Sequence, residues 1–252
     1  MPPLSTAQIF LLTQINTWID SGYDSLENRE MIAVCKTWLK AWESLKMLVT
    51  EPVSTREDVR QAYPGLHPEF ENWCMDLMFE LWNAGLHDPA YHEARLRYID
   101  ELLVHFHRED DDLKREFGRG KGESLWALGR REEAEAAFAE LVDLLPDDGW
   151  AYIGWSDQYW LLNSSPKDYI RGEALLQRAL RRPRLNDRLS VLERLAELYQ
   201  EWGKNAEEHN IKTEIRLLQG RAVRPNSHMS AGKPSGQTSA ESPKPKKKRR
   251  RH

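Results

Sequence analysis

The chain has 252 residues, 30% charged and 40% hydrophobic, enough for one extended helical domain or two small ones. No apolar run approaches a membrane span, and the start, MPPLSTAQIFLLTQ, lacks the basic leader and cleavage site of a signal peptide. The formal charge of −4 is unevenly spread: residues 221–252 hold ten Lys or Arg and one acid (net +9), leaving 26 basic and 39 acidic groups elsewhere (net −13).

In chain order, Ser5 is placed to cap a first helix running to about Asp20. Ile9, Leu12, Ile15 and Ile19 share one side of it, and Gly22 closes it. A second helix covers about Asn28 to Val49, with Met31, Val34, Cys35, Trp38, Trp42, Leu45 and Leu48 at helical spacing. Ser54 followed three residues later by Glu57 reads as a capping box for a short helix ending before Pro64. Cys35 and Cys74 fall at apolar positions, which reads as buried free thiols in a reducing, cytoplasmic setting.

From Pro68 four helix pairs can be laid out. They cover about Glu69–Leu86 with Asp88–His107, Asp112–Leu145 broken at Gly129, and Trp150 onward with Tyr169–Arg182. The last is Asp187–Trp202 with Asn205–Gln219, turning at Gly203. No segment alternates with period two over a useful length, so the fold class is all-α. The boundaries expected are a helical cap over 1–65, helix pairs over 66–220 and a disordered basic tail over 221–252.

Trp126 and Trp160 stand 34 residues apart, the period of one class of helical repeat. The intervening pattern resembles the tetratricopeptide repeat, most fully in the second pair, at Gly122, Leu125, Gly129, Ala134, Phe138 and Pro146. The third pair matches at Tyr152, Trp155, Ser156, Tyr159 and Ala174, with an insertion around Ser164–Asp168. The fourth matches at Leu195, Ala196, Tyr199 and Gly203 but has Glu208 where the family has Ala. The first matches at Leu81, Gly85, Ala94 and Tyr98, with Met78 replacing the small residue. The resemblance covers about residues 69–219 and implies stacked antiparallel helix pairs whose first helices line an inner groove that binds a protein or peptide.

Transferred by register, that inner stripe is Met75, Phe79 and Trp82; Glu116, Arg119, Glu123 and Trp126; Trp150, Ile153, Asp157 and Trp160; and Glu193, Glu197, Gln200 and Glu201. Trp82, Trp126 and Trp160 hold equivalent places and form a ladder. Two readings stand. Large aromatics usually serve core packing, and ten Trp in 252 residues can do so here. In a groove, the ladder with Trp150 would anchor a partner, and Asp157 and Glu197 would select its positive charge.

Seven basic residues lie between Lys244 and Arg251, among them Lys246, Lys247, Lys248, Arg249, Arg250 and Arg251. Such a cluster attracts phosphate backbones without reading sequence, and in a eukaryotic host it resembles a nuclear-import signal. It can equally be a solubilising tail, or fold back over Glu193, Glu197 and Glu201. The second functional reading is therefore a nucleic-acid-associated protein tethered by this tail.

Catalytic chemistry finds little footing. Gly118, Gly120 and Gly122 precede a helix rather than follow a strand, so they do not form a nucleotide loop; helix packing explains at least Gly122 better. His105 and His107, two apart on a helix, diverge by about 200° and cannot share a metal. The acidic run from Glu109 to Asp112 reads as a solvated helix start. No enzyme, cofactor or metal is expected.

Overall fold

The computed structural model describes residues 4–49, 54–161 and 166–222. Among them are eleven helices and no strand. They are α1 (Thr6–Glu27), α2 (Met31–Leu48), α3 (Arg56–Ala62), α4 (Phe70–Gly85), α5 (Ala90–His105), α6 (Asp111–Ala127), α7 (Arg131–Leu144), α8 (Gly149–Trp160), α9 (Tyr169–Leu180), α10 (Arg188–Trp202) and α11 (Asn205–Ala222). None of them is long and apolar enough to cross a membrane. The basic cluster Lys246–Arg251 and most of the 221–252 tail lie outside the described residues.

Short polar side chains start several helices by satisfying first-turn N–H groups. Ser5 accepts from Gln8 N at 3.3 Å while Gln8 Oε1 accepts from Ser5 N at 2.9 Å, a reciprocal box. Asp110, Asp148 and Asp168 cap α6, α8 and α9 through the backbone of Leu113, Ala151 and Arg171 at 2.9, 3.0 and 3.0 Å. Gly129 (φ +76°) and Gly203 (φ +79°) end α6 and α10 in the left-handed region, as expected of residues without a Cβ.

Three expectations are corrected. Gly22 does not close α1, which runs on to Glu27; the glycine lies inside it because Trp38 occupies the space of a side chain. Ile9, assigned to the apolar side of α1, is 52% exposed. The cap of α3 is Thr55 with Asp58, one residue on from Ser54 and Glu57; both sides of that box form, at 3.1 and 2.9 Å.

The helices pack as neighbouring pairs: α1 with α2, α4 with α5, α6 with α7, α8 with α9, and α10 with α11. The even-numbered helices also touch in sequence, α2 on α4, α4 on α6, α6 on α8 and α8 on α10, and so form one continuous file. This arrangement is compatible with a helical repeat. Two large cores result. The first joins α1 to α5 and the start of α6 around Trp38, Trp42, Phe70, Trp73, Tyr98 and Phe117. The second joins α7 to α10 around Phe138, Tyr152, Trp160, Leu176 and Leu195. A side chain of this size stabilises by roughly 1.5–3 kcal/mol when fully buried.

Between the cores lies the middle of α6, where Gly118, Gly120 and Gly122 bring neighbouring side chains onto the backbone. A Cβ on them would stand 2.8 Å from Leu141, 2.9 Å from Arg95 and 2.6 Å from Phe138, respectively. The triplet is a packing device rather than a loop.

Candidate partner-binding face

The stripe assigned to the even-numbered helices divides into three chemically distinct parts. On α4, Met75, Phe79 and Trp82 share one face by their spacing of four and three. Phe79 is 41% exposed, with Met75 and Trp82 half-buried.

The Trp82 indole rests against His92 (ring centroids 4.9 Å) and lies 5.0 Å from the Arg95 guanidinium carbon. His92 can come this close because Gly85 faces it, 2.4 Å from where a Cβ would stand. Arg95 is only 2% exposed. Its Nη1 donates to Gly120 O at 3.1 Å and Ser124 Oγ at 3.2 Å, and its Nη2 donates to Glu123 Oε2 at 3.2 Å. Burial pushes its pKa down, opposed by the charge of Glu123.

The α6 part is self-paired. Arg119 bonds Glu116 at 2.8 Å and reaches Glu123 at 3.2 Å, while Arg115 bonds Asp148, the cap of α8, at 2.9 Å. The Arg119 stem crosses α8 at Gly154, where a Cβ would stand 2.5 Å from its Cδ. This network continues to α10, where Arg194 lies 3.6 Å from Asp157 and 3.2 Å from Glu197. Asp157 and Glu197 are therefore linked through one guanidinium. Asp157 is only 8% exposed and its Oδ1 accepts no hydrogen bond; burial pushes its pKa up to about 7, against the pull of Arg194.

The third part, on α10, is acidic and open. Glu193, Glu197, Gln200 and Glu201 are all exposed on one face. Glu201 also pairs with Lys167.

The three ladder tryptophans meet three different settings. Trp82 covers Arg95. Trp126 is half-buried, edge-on to Tyr159 (4.9 Å, 79°), with the Arg131 guanidinium 4.0 Å above its ring. Trp160 is a core side chain, 1% exposed; its Nε1 donates to Ser156 Oγ at 3.2 Å and its ring lies over Gly172. Trp150 is half-buried at the margin of the second core.

Two charged residues of the interior were missed in the sequence. Arg95 carries no local mark of burial in the sequence, and its only signal is non-local: the small Gly120 and Ser124 one turn apart on α6, which leave room for a guanidinium. Glu109, read as part of a solvated acidic start, is 8% exposed and accepts from Arg56 Nε at 3.0 Å, which corrects that reading. Among the described residues no cluster of His, Cys, Asp and Glu could hold a metal ion. Compared with protein-family models and with the curated proteins, the chain matches none.

Proposed function

We propose that the chain is an interaction adaptor, built from helix-pair repeats of the tetratricopeptide type, that binds a protein or peptide segment along its even-numbered helices. One observation carries this reading. The same face that is apolar and open at Phe79 on α4 becomes self-neutralised on α6 and α8, and ends in exposed carboxylates on α10, Glu193 and Glu197, the second of them paired with Arg194. A partner suited to it carries an apolar side chain at one end and basic ones at the other. The apolar anchor supplies affinity, and the charges supply orientation and selectivity. Residues 1–65 act as a cap that closes the first core, and the setting is cytoplasmic.

The test is a nuclease-treated pull-down with the full chain, a chain ending at Gly220, Phe79→Asp, and Glu193→Lys with Glu197→Lys. The adaptor reading expects one protein partner to survive truncation and nuclease and to be lost from both face variants, since Phe79, Glu193 and Glu197 are exposed and their replacement leaves the cores alone. Loss of every partner with the basic tail or with nuclease transfers the function to a tail-tethered nucleic-acid protein instead.

A further inference from the structure

Each helix pair turns at an edge where an even-numbered helix ends and the next begins. Between the α6–α7 and α8–α9 pairs this edge opens into a cleft of about 420 Å³, bounded by Trp126, Arg131, Glu135, Tyr159 and Arg171, with Glu132 and Pro166 completing its lining. That volume lies within the range of ligand-binding clefts.

Hydrogen-bond donors outnumber acceptors in this cleft. Glu135 uses each oxygen once: Oε2 accepts from Trp155 Nε1 at 3.1 Å, and Oε1 accepts from the Tyr159 hydroxyl, while its charge also acts on Arg131 and Arg171 without a direct hydrogen bond to either. Arg131 is exposed, rests 4.0 Å over Trp126, and makes no hydrogen bond or ion pair among the described residues. Arg171, whose side chain is 65% exposed, lies 5.5 Å over Tyr159, donates to its hydroxyl at 3.3 Å, and reaches Asp168 only at 3.9 Å. The Trp126 Nε1–H is shut off from solvent and meets no acceptor among the described residues. A guanidinium carries five N–H donors, so Glu132, exposed beside them, leaves most of that capacity unused.

A guanidinium stacked on an aromatic ring keeps its N–H edges free and loses little further freedom on pairing, so it is pre-organised for a carboxylate. We propose that this cleft docks an acidic side chain of a protein partner, an Asp or Glu beside an apolar residue. The carboxylate takes the Arg131 and Arg171 forks, and the apolar neighbour lies against Trp126 and Tyr159. A single carboxylate suits the cleft better than a nucleic-acid backbone, because Glu132 and Glu135 stand at the same place and residues 1–220 carry a net −13. This cleft shares Trp126 with the even-helix stripe, but its arginines come from α7 and α9, and it selects the opposite charge.

The experiment follows the indole N–H resonance of Trp126 in the ¹⁵N-labelled full chain, identified by its loss in Trp126→Phe. The probes are acetyl-Glu-Phe-Glu-amide, acetyl-Gln-Phe-Gln-amide and inorganic phosphate. The acidic peptide shifts the resonance saturably, the Gln peptide binds at least about tenfold more weakly, and Arg131→Gln with Arg171→Gln weakens the acidic peptide by a similar factor. Both arginines are exposed, so the unfolding midpoint stays put, and each single variant carries the same expectation should the double one fold poorly. Equal affinity for the two peptides, equal affinity of the two proteins, no shift up to about 10 mM, or a phosphate response as strong as the peptide's would each overturn the proposal. Phe79→Asp leaves this titration unchanged, which separates its outcome from that of the even-helix face.

Discussion

Arg95 on α5 and Glu123 on α6 form a 3.2 Å ion pair in which the guanidinium is 2% exposed and the carboxylate side chain 15%. The pair joins two helices at the seam between the two cores, and Arg119 shares the same carboxylate at 3.2 Å. The two partners are therefore not equivalent. Removing Glu123 strands a buried positive charge, whereas removing Arg95 leaves Glu123 with Arg119 and some solvent. Glu123→Ala is expected to destabilise by about 3 kcal/mol and Arg95→Met by roughly 1 kcal/mol, because an apolar replacement of a buried charge is tolerated far better than an orphaned one. Urea unfolding of the two variants checks the order; an Arg95→Met cost equal to that of Glu123→Ala would show that the pair is not organised this way.

Gly22 gives a second expectation. A Cβ at this position would stand 1.8 Å from Trp38 Nε1, and that indole is fixed by donation to Ile19 O at 3.1 Å and by complete burial. Gly22→Ala must displace the indole or part α1 from α2, a loss of about 2–3 kcal/mol typical of overpacking. Gly129 offers the contrast, since nothing lies within 4 Å of its Cβ position and only its φ of +76° opposes alanine. Gly129→Ala should cost roughly 1 kcal/mol, the left-handed backbone penalty. Thermal melts of the two variants rank them.

Much of the helix layout was legible because it is local. Gly129 and Gly203 end their helices by their own conformational freedom, and the spacing of Val34, Cys35, Trp38, Trp42 and Leu45 marks the buried side of α2 without reference to any other element. What was not legible depends on a second helix. Gly22 reads as a stop until Trp38 is placed against it, and nothing marks Arg95 as buried until Gly120 and Ser124 make room for it. The candidate face shows the same limit. Trp82, Trp126 and Trp160 share a sequence position, but their surroundings are set by Arg95, Arg131 and Gly172 on the helices that follow, which no pattern within their own helices reveals.

That difference separates packing from docking by mutation. Trp160 is enclosed, so Trp160→Ala should cost about 3–5 kcal/mol, as for other large core truncations. Trp126 is half-buried beneath an exposed arginine, and Trp126→Ala should cost less than about 2 kcal/mol. Denaturant titration with retained helical circular dichroism is the check. A Trp126 variant as unstable as the Trp160 variant would place both in the core and remove Trp126 from any binding surface.

The pH dependence of stability turns on Asp157. Its pKa rises from the ordinary 3.8 to about 7 in the folded protein, first through burial and with a further contribution from Glu197, while Arg194 and Arg119 pull it back. In the window between those values the folded state holds a proton that the unfolded state has released. The unfolded state binds fewer protons there, so stability falls as pH rises from about 4 to about 7 and the loss is complete above it. The slope contributed is on the order of 1 kcal/mol per pH unit at most, since the Arg194 and Arg119 charges can rearrange around the carboxylate. Asp157→Asn removes the titration while keeping the size, so the stability gap between variant and parent should widen in the variant's favour as pH increases. Unfolding measured at pH 5 and pH 8 decides it. Parallel curves for the two proteins would mean that Arg194 holds Asp157 ionised throughout, and that the carboxylate acts as a permanent charge between α8 and α10.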